Sequence, residues 1–281
     1  MTSLLQISDT HFGTERPQVT AALLRLVDAS SPDLVVLSGD ITQRARRGQF
    51  AAARAFVETL GATPTLVVPG NHDIPLFNVF ARILYPYANF QRAFGSDLEP
   101  SFESPELLVL GVNTTRAYRH TDGEVSMQQI KRVAARLEMA GAAQLRVVVT
   151  HQPVAVTRTQ DEKNLLRGRE RAVQRWARAG ADLILGGHIH LPYVLPLHDT
   201  FAGLPRRMWA VQAGTALSWR TRGTIDNSVN LIRHAASGNG ARQTAVERWD
   251  YTETSESFEL VARHELALDG ATSGMTVTVS E

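Results

Sequence analysis

The chain has 281 residues and a formal net charge of +1, with 29 lysines and arginines against 28 aspartates and glutamates. Such a balance predicts no nucleic-acid partner and no anionic membrane surface as a partner. The absence of cysteine excludes disulfides, thiolate metal sites and a cysteine nucleophile.

The length suits one large α/β domain with a sizeable core. The amino-terminal residues lack the basic and long apolar segments of a signal peptide. No stretch approaches the roughly 20 apolar residues that span a bilayer. We therefore expect a soluble, cytoplasmic protein with no membrane span.

Three short apolar runs in the first 73 residues each end at polar residues. Between these runs, residues 19–29 and 47–60 carry apolar side chains at helical spacing. This order predicts a βαβαβ unit, in which parallel strands present their carboxyl ends at one edge of the sheet. The polar residues at these ends are Asp9-Thr10-His11, Gly39-Asp40 and Gly70-Asn71-His72-Asp73.

The residue types at these strand ends suit metal and proton chemistry. Asp9 and His11, two residues apart on an extended strand end, can chelate one cation. Asn71 offers a neutral oxygen ligand, His72 can exchange a proton, and Asp73 can orient the imidazole. Taken singly, each motif is more typical of an ordinary polar turn.

The segment 74–124 is irregular and rich in aromatic residues. Two short helices are predicted between residues 76 and 94, and the segment is expected to form a cap or insertion over the site. Residues 107–112 form a predicted strand within it. Further helices are predicted at 126–141 and at about 164–179.

Two later predicted strands end at histidines. Residues 145–150 lead to His151, and residues 182–185 lead through two glycines to His188 and His190. Two imidazoles two residues apart form a candidate chelate, with a pair of surface histidines as the alternative.

Five of the nine histidines follow predicted strands in this way. They are His11, His72, His151, His188 and His190. Such clustering favours one site assembled from several loops at a single sheet edge over five unrelated turns.

The ordered set of motifs, between residue 4 and about residue 191, resembles the calcineurin-like metallophosphoesterases. The resemblance implies an α/β fold, namely a four-layer αββα sandwich of two mixed sheets flanked by helices. It also implies two metal ions bridged by Asp40. One ion would be held by Asp9, His11, Asp40 and His190, and the other by Asp40, Asn71, His151 and His188.

Carboxylate, carboxamide and imidazole ligands favour Mn, Fe or Zn, as divalent or trivalent ions, without choosing among them. The resemblance implies hydrolysis of a phosphoester by a hydroxide that bridges the two metals, with no covalent enzyme intermediate. His72 would donate a proton to the leaving alkoxide or stabilise the charge of the pentacoordinate phosphorus, and Asp73 would orient its ring.

Within the family, the spacing is most similar to that of bacterial class III cyclic nucleotide phosphodiesterases, which implies a small-molecule phosphodiester as substrate. Gln152 and Asn113-Thr114 stand where such enzymes often carry His and Asp-Ser, so cyclic AMP is one candidate among several. Two alternatives stay open. One is a pyrophosphatase acting on a nucleotide-linked lipid or sugar, which predicts an apolar groove at 76–94, and the other is a non-catalytic scaffold.

The segment 192–281 carries strand patterns and is expected to complete the second sheet. Residues 237–240 are a predicted hairpin loop, and 269–281 a predicted extra strand or mobile tail. The whole chain, 1–281, is predicted to be one domain. Its oligomeric state is left open, a homodimer included.

Overall fold

The computed structural model describes residues 1–236 and 242–269. Within these residues, twelve strands form two six-stranded sheets. The predicted hairpin loop at 237–240 and the tail beyond residue 269 lie outside the described residues.

The first sheet is built around the strands of the predicted βαβαβ unit. These are β1 (Thr2–Ile7), β2 (Leu34–Ser38) and β3 (Thr65–Val68), which run parallel. On the other side of β1, the sheet continues through three antiparallel strands from the end of the chain. They are β10 (Ser228–Ala236), β11 (Arg242–Thr252) and β12 (Ser257–Leu266).

The second sheet has four parallel strands with an antiparallel strand at each edge. The parallel strands are β5 (Leu107–Gly111), β6 (Leu145–Val149), β7 (Leu183–Gly186) and β9 (Trp209–Gln212). The edge strands are β4 (Ser101–Glu103), beside β5, and β8 (Tyr193–Pro196), beside β9.

Helices cover the outer face of each sheet. The helices α1 (Pro17–Ser30) and α2 (Arg47–Thr59) bury their apolar sides against the first sheet, and α5 (Met127–Glu138) and α6 (Arg169–Ala179) against the second. A third core lies between the two sheets. Because strand side chains alternate between faces, Leu5 and Ile7 join the helix-side core while Leu4 joins the core between the sheets. The predicted four-layer αββα sandwich is confirmed.

Two segments contribute to the fold differently from the expectation. The segment 74–124 contributes β4 and β5 to the second sheet, so only its first part, with α3 (Val79–Leu84) and α4 (Ala88–Phe94), stands outside both sheets. The segment after residue 192 contributes strands to both sheets and not to the second alone, because β10 pairs with β1. A short helix, α7 (Leu197–Thr200), follows β8.

The predicted helix at 164–179 begins later, at Arg169. Residues 159–164 form a separate 3-10 turn, and Gly168 takes a left-handed conformation with φ +85° directly before the helix. Among the described helices, none has the length and apolar character needed to cross a membrane.

Candidate metal centre

The carboxyl ends of strands from both sheets meet at one edge of the sandwich. Backbone hydrogen bonds join the loops there: Asp9 donates to the carbonyl of Gly39 at 3.1 Å, and His11 donates to that of Asp40 at 3.0 Å. On the second sheet, Gly187 donates to the carbonyl of His151 at 2.9 Å. These backbone hydrogen bonds therefore connect the loops that carry the site residues.

The backbone at this edge is unusual. Five of the eight non-glycine residues with positive φ in the described chain are predicted site residues. They are Asp9 (φ 51°), His11 (φ 44°), Asp40 (φ 49°), His188 (φ 73°) and His190 (φ 56°). The left-handed conformation costs a non-glycine residue about 1–3 kcal/mol, and such strain clusters at functional sites.

The structure brings all seven predicted metal ligands together. Ligand atoms of Asp9, His11, Asp40 and His190 lie within 4.8 Å of one another, and so do those of Asp40, His151 and His188. Asn71 joins the second group, because its Oδ1 lies 2.9 Å from Nδ1 of His188 and 3.3 Å from Nε2 of His151. Asp40 is the one residue common to both groups.

Hydrogen bonds to backbone carbonyls fix which imidazole nitrogen faces the centre. Nδ1 of His151 lies 2.9 Å from the carbonyl of Ser38, and Nδ1 of His190 lies 2.5 Å from that of Arg220. Since a carbonyl can only accept, both Nδ1 atoms are donors, and in a neutral ring each Nε2 presents a lone pair. These lone pairs face carboxylates: Nε2 of His190 is 3.3 Å from Asp9, and Nε2 of His151 is 3.2 Å from Asp40.

The buried carboxylates of this cluster favour positively charged neighbours. Burial opposes ionisation of Asp9, but nearby His190 and His151 outweigh it, and the pKa of its carboxyl falls to about 2. Burial likewise opposes the charging of His151, yet Asp40 and Asp9 raise the pKa of its imidazole to about 9. The carboxylates of Asp9 and Asp40 therefore stabilise a positive charge beside them.

Two other histidines of the cluster stay neutral. Burial lowers the pKa of His11 to about 3 against the pull of Asp40 and Asp9. Burial, together with His151, lowers the pKa of His188 to about 4. A neutral imidazole is the form that binds a metal ion, so both rings are ready to act as ligands.

The proposed orientation of His72 by Asp73 is wrong. Nδ1 of His72 donates to the carbonyl of Gln43 at 2.9 Å. The Asp73 carboxyl instead accepts from the backbone amides of Gly70, Ile41 and Thr42, at 2.8–3.0 Å. The carboxyl faces away from the imidazole because these three backbone amides surround it. Asp73 therefore joins the loop that carries Asp40 to the loop that carries Asn71, while burial and Asp40 raise the pKa of its carboxyl to about 6.

The sequence motifs did not identify two residues at the centre, Gln43 and Arg220. Nη1 of Arg220 lies 3.2 Å from Nε2 of His72 and donates at 3.0 Å to Oε1 of Gln43. Neither Gln43 nor Arg220 belongs to a recognisable motif at the end of a strand. Arg220 also lies in a segment whose sequence showed only strand patterns. The one available signal was the general enrichment of arginine over lysine, which does not single out a position.

A cavity of about 490 Å³ opens over the cluster. Its wall includes Asp40, Asn71, His72, His188 and His190, together with Arg220. Elsewhere on the wall, Arg222 is held by Asp161 through two contacts of 2.8 and 3.0 Å. A small anionic molecule could therefore reach the cluster and Arg220 together.

Two curated proteins share sequence similarity over most of the chain. UDP-2,3-diacylglucosamine hydrolase of Photorhabdus laumondii is 24% identical over 252 residues, covering 81% of this chain and 97% of that protein. A probable cyclic nucleotide phosphodiesterase of Synechococcus is 26% identical over 217 residues, covering 72% of this chain and 79% of that protein.

Among solved structures, purple acid phosphatase PPD1 from yellow lupin (Lupinus luteus) superposes with a TM-score of 0.71 at 13% identity. The match covers 94% of this chain and 53% of the lupin chain, so the present chain spans about half of that protein and shares its fold. The model of the family described as calcineurin-like phosphoesterase matches residues 2–192, which places this chain in that family.

Proposed function

We propose that the protein is a dinuclear-metal-dependent phosphoesterase that hydrolyses a phosphodiester of the cyclic nucleotide kind. The observation that carries the proposal is the pair of buried ligand groups that share Asp40. Family membership makes phosphoester hydrolysis the expected reaction. The name of the Synechococcus relative supports a cyclic nucleotide as the class of substrate.

The residues of the cluster fit two metal ions. Nε2 of His11 and Nε2 of His190 face each other at 3.1 Å, and Nδ1 of His11 is buried without a hydrogen-bond partner among the described residues. A shared cation would satisfy both facing nitrogens together with the carboxylate oxygens. Asp9, His11, Asp40 and His190 would hold one ion, while Asn71, His151 and His188 would hold the other with Asp40. When bound, two such ions supply Lewis-acid stabilisation of phosphoryl oxygens and lower the pKa of a water molecule.

His72 is the proposed proton donor to the leaving group. Its backbone amide donates to Oδ1 of Asp40 at 2.8 Å, which sets the ring beside the shared ligand. Because Nδ1 is committed to the Gln43 carbonyl, Nε2 is the atom that would carry the transferred proton. Asp73 contributes by positioning the two loops, not by touching the ring.

Arg220 is the proposed contact for a phosphoryl oxygen outside the metal cluster. An arginine can only donate, so its contact with His72 requires an unprotonated Nε2. Once Nε2 carries a proton, the guanidinium loses this acceptor and can turn to the substrate, while Gln43 keeps it at the cavity. A planar guanidinium suits phosphate oxygens because its N–H groups match their spacing.

A second candidate function is cleavage of a nucleotide-linked lipid or sugar at its pyrophosphate. It is favoured by the apolar surface of residues 77–85, where Phe77, Phe80 and Ile83 are 77%, 81% and 69% exposed. This surface begins beside the centre, since Leu76 and His72 line one small cavity. The Photorhabdus relative, a UDP-2,3-diacylglucosamine hydrolase by name, supports this reading.

The test is metal content of the purified protein combined with turnover in added Mn²⁺. The substrates are bis-p-nitrophenyl phosphate, p-nitrophenyl phosphate and UDP-2,3-diacylglucosamine, and the variant Asp40→Ala is the negative control. We expect two metals per chain, a preference for the diester over the monoester, and no turnover by the variant. Faster cleavage of the UDP compound would favour the second candidate. Protein that binds no metal and cleaves nothing after reconstitution would favour the non-catalytic scaffold.

A further inference from the structure

Three arginines surround one carboxylate at the sheet edge opposite the metal centre. Asp182 precedes β7 and accepts from Nη2 of Arg206 at 2.6 Å, from both Nη atoms of Arg242, and from the backbone amide of Arg146 at 2.9 Å. Arg146 and Arg206 are 5% and 9% exposed, and the side chain of Arg242 is 2% exposed. The cluster thus buries three positive charges around one negative charge.

Asp182 is one carboxylate for two paired guanidinium groups, those of Arg206 and Arg242. The Nε atoms of Arg146, Arg206 and Arg242 have no hydrogen-bond partner within 1–236 and 242–269. Of the nearby acids, Asp269 accepts from the backbone amide of Arg207 at 2.7 Å, and Glu138 pairs with an arginine of α6. A buried charge that is only partly compensated is costly, so the excess of guanidinium over carboxylate suits the cluster to receive an anion.

Helix dipoles account for only one of the three arginines. The guanidinium of Arg146 reaches the carbonyls of Ala140, Gly141 and Gly180, at the ends of α5 and α6, at 3.2–3.4 Å. Cations are stabilised at such helix ends. In the described structure Arg206 donates to Asp182 and to neither helix end, and it shares this one carboxylate with Arg242.

A cavity of about 490 Å³ opens onto Arg146 and Arg206 between the ends of α5 and α6. Gly180, which lines it, has φ +103°, and a Cβ built on this glycine would stand 3.0 Å from Nη1 of Arg146 and 3.2 Å from Nη1 of Arg206. The two guanidinium groups therefore lie side by side at the cavity. Such a pair matches the oxygens of a phosphoryl group.

We propose that this cavity binds a phosphoryl dianion, either inorganic phosphate or the phosphate end of a small phosphomonoester. Arg206 and Arg146 are its binding residues, and Asp182 and Arg242 hold them in place. The cavity lies at the amino ends of β6 and β7, whereas His151 and His188 follow their carboxyl ends, so this site is separate from the metal centre. The inference does not rest on the proposed hydrolase activity.

The test is calorimetric titration and thermal melting of the metal-loaded protein with potassium phosphate, at constant ionic strength set with potassium chloride. Phosphate can also bind at the metal centre, so the variant Arg206→Gln distinguishes the two sites. We expect wild type to show a binding event that Arg206→Gln weakens by roughly tenfold or more, whereas any event at the metal centre should be unchanged in this variant. Arg54→Gln, which removes an exposed, ion-paired arginine of α2, is the matched control and should behave as wild type.

Asp269→Asn provides a second variant with the opposite sign. Removing this carboxylate from the cavity wall should tighten the same event several-fold, a result that does not depend on the folding of Arg206→Gln. Titration with AMP against adenosine separates the two sources: tighter Arg206-dependent binding of AMP than of phosphate identifies a phosphomonoester, and the reverse identifies inorganic phosphate. A single binding event in wild type, unchanged in Arg206→Gln and Asp269→Asn, would overturn the proposal.

Discussion

Gly70→Ala should disable the metal centre through a single methyl group. Gly70 has φ −104° and ψ 179°, an extended conformation open to any residue, so the substitution causes no backbone strain of its own. The added Cβ would overlap the backbone nitrogen of Asp40 and stand 2.8 Å from its Cα. Because non-bonded carbons rest at about 3.5–4.0 Å, Asp40 must move by roughly 1 Å.

The size of the effect follows from that displacement. Metal-ligand distances tolerate only about ±0.2 Å, so a shift of this size removes Asp40 from both ligand groups at once. We expect metal content to fall well below that of wild type, turnover to fall by about 10²-fold or more, and the free energy of unfolding to fall by about 1–3 kcal/mol.

Gly48→Ala is the matched control. Gly48 lies in α2, and a Cβ at this position meets no atom within 4 Å. Alanine should therefore leave metal content and turnover unchanged and raise stability by up to about 1 kcal/mol. Metal analysis, steady-state kinetics and urea unfolding of both variants make the comparison. A Gly70→Ala protein with two metals and wild-type turnover would refute the claim that this close approach positions Asp40.

Three further predictions concern the same site. His72→Ala should keep both metals and lower turnover by about 10²–10⁴-fold, the usual contribution of a general acid, and loss of a metal in this variant would contradict the assigned role. Arg220→Gln should also keep the metals but raise KM and lower kcat, with partial recovery in Arg220→Lys; unchanged kinetics would remove Arg220 from the substrate site. Chelation should lower the melting temperature, because the clustered acids and imidazoles lose their shared cations, and added Mn²⁺ should restore it; a melt insensitive to both would argue against bound metal in the fold.

Local pattern in the sequence was sufficient to predict the parallel strands and the convergence of polar residues at one sheet edge, whereas the four layers and the two ligand sets were implied by the resemblance to the calcineurin-like metallophosphoesterases. Apolar runs alternating with amphipathic helices specify parallel strands, and parallel strands place their ends at one edge. Asp9 and His190, 181 positions apart in the chain, could be assigned to one site on that basis. The same reasoning failed for 192–281, since strand patterns alone do not determine with which sheet β10 pairs.

Side-chain partners were harder to predict than positions. Asp73 is next to His72 in sequence, but in a 3-10 turn its carboxyl faces the amides of the neighbouring loop. Gln43 contacts His72 through its backbone carbonyl, a group that every residue possesses, so no residue type could reveal it. Arg220 approaches from a loop 148 positions away. Each of these contacts depends on loop geometry, which periodicity does not determine.

The left-handed residues connect the stability of the fold to its chemistry. At the end of a strand, a left-handed residue turns the chain sharply. Asp9 and Asp40 thus leave the direction of their strands, and their carboxylates contact His188 and His151 from the second sheet. Glycine would adopt this conformation at lower cost but offers no ligand atom. The chain therefore keeps aspartate and histidine where the backbone favours glycine, and this local strain must be offset by the three apolar cores around it. Five residues that converge on one edge therefore adopt a conformation that their side chains disfavour. This is the physical reason to regard the edge as a functional site and not as a set of turns.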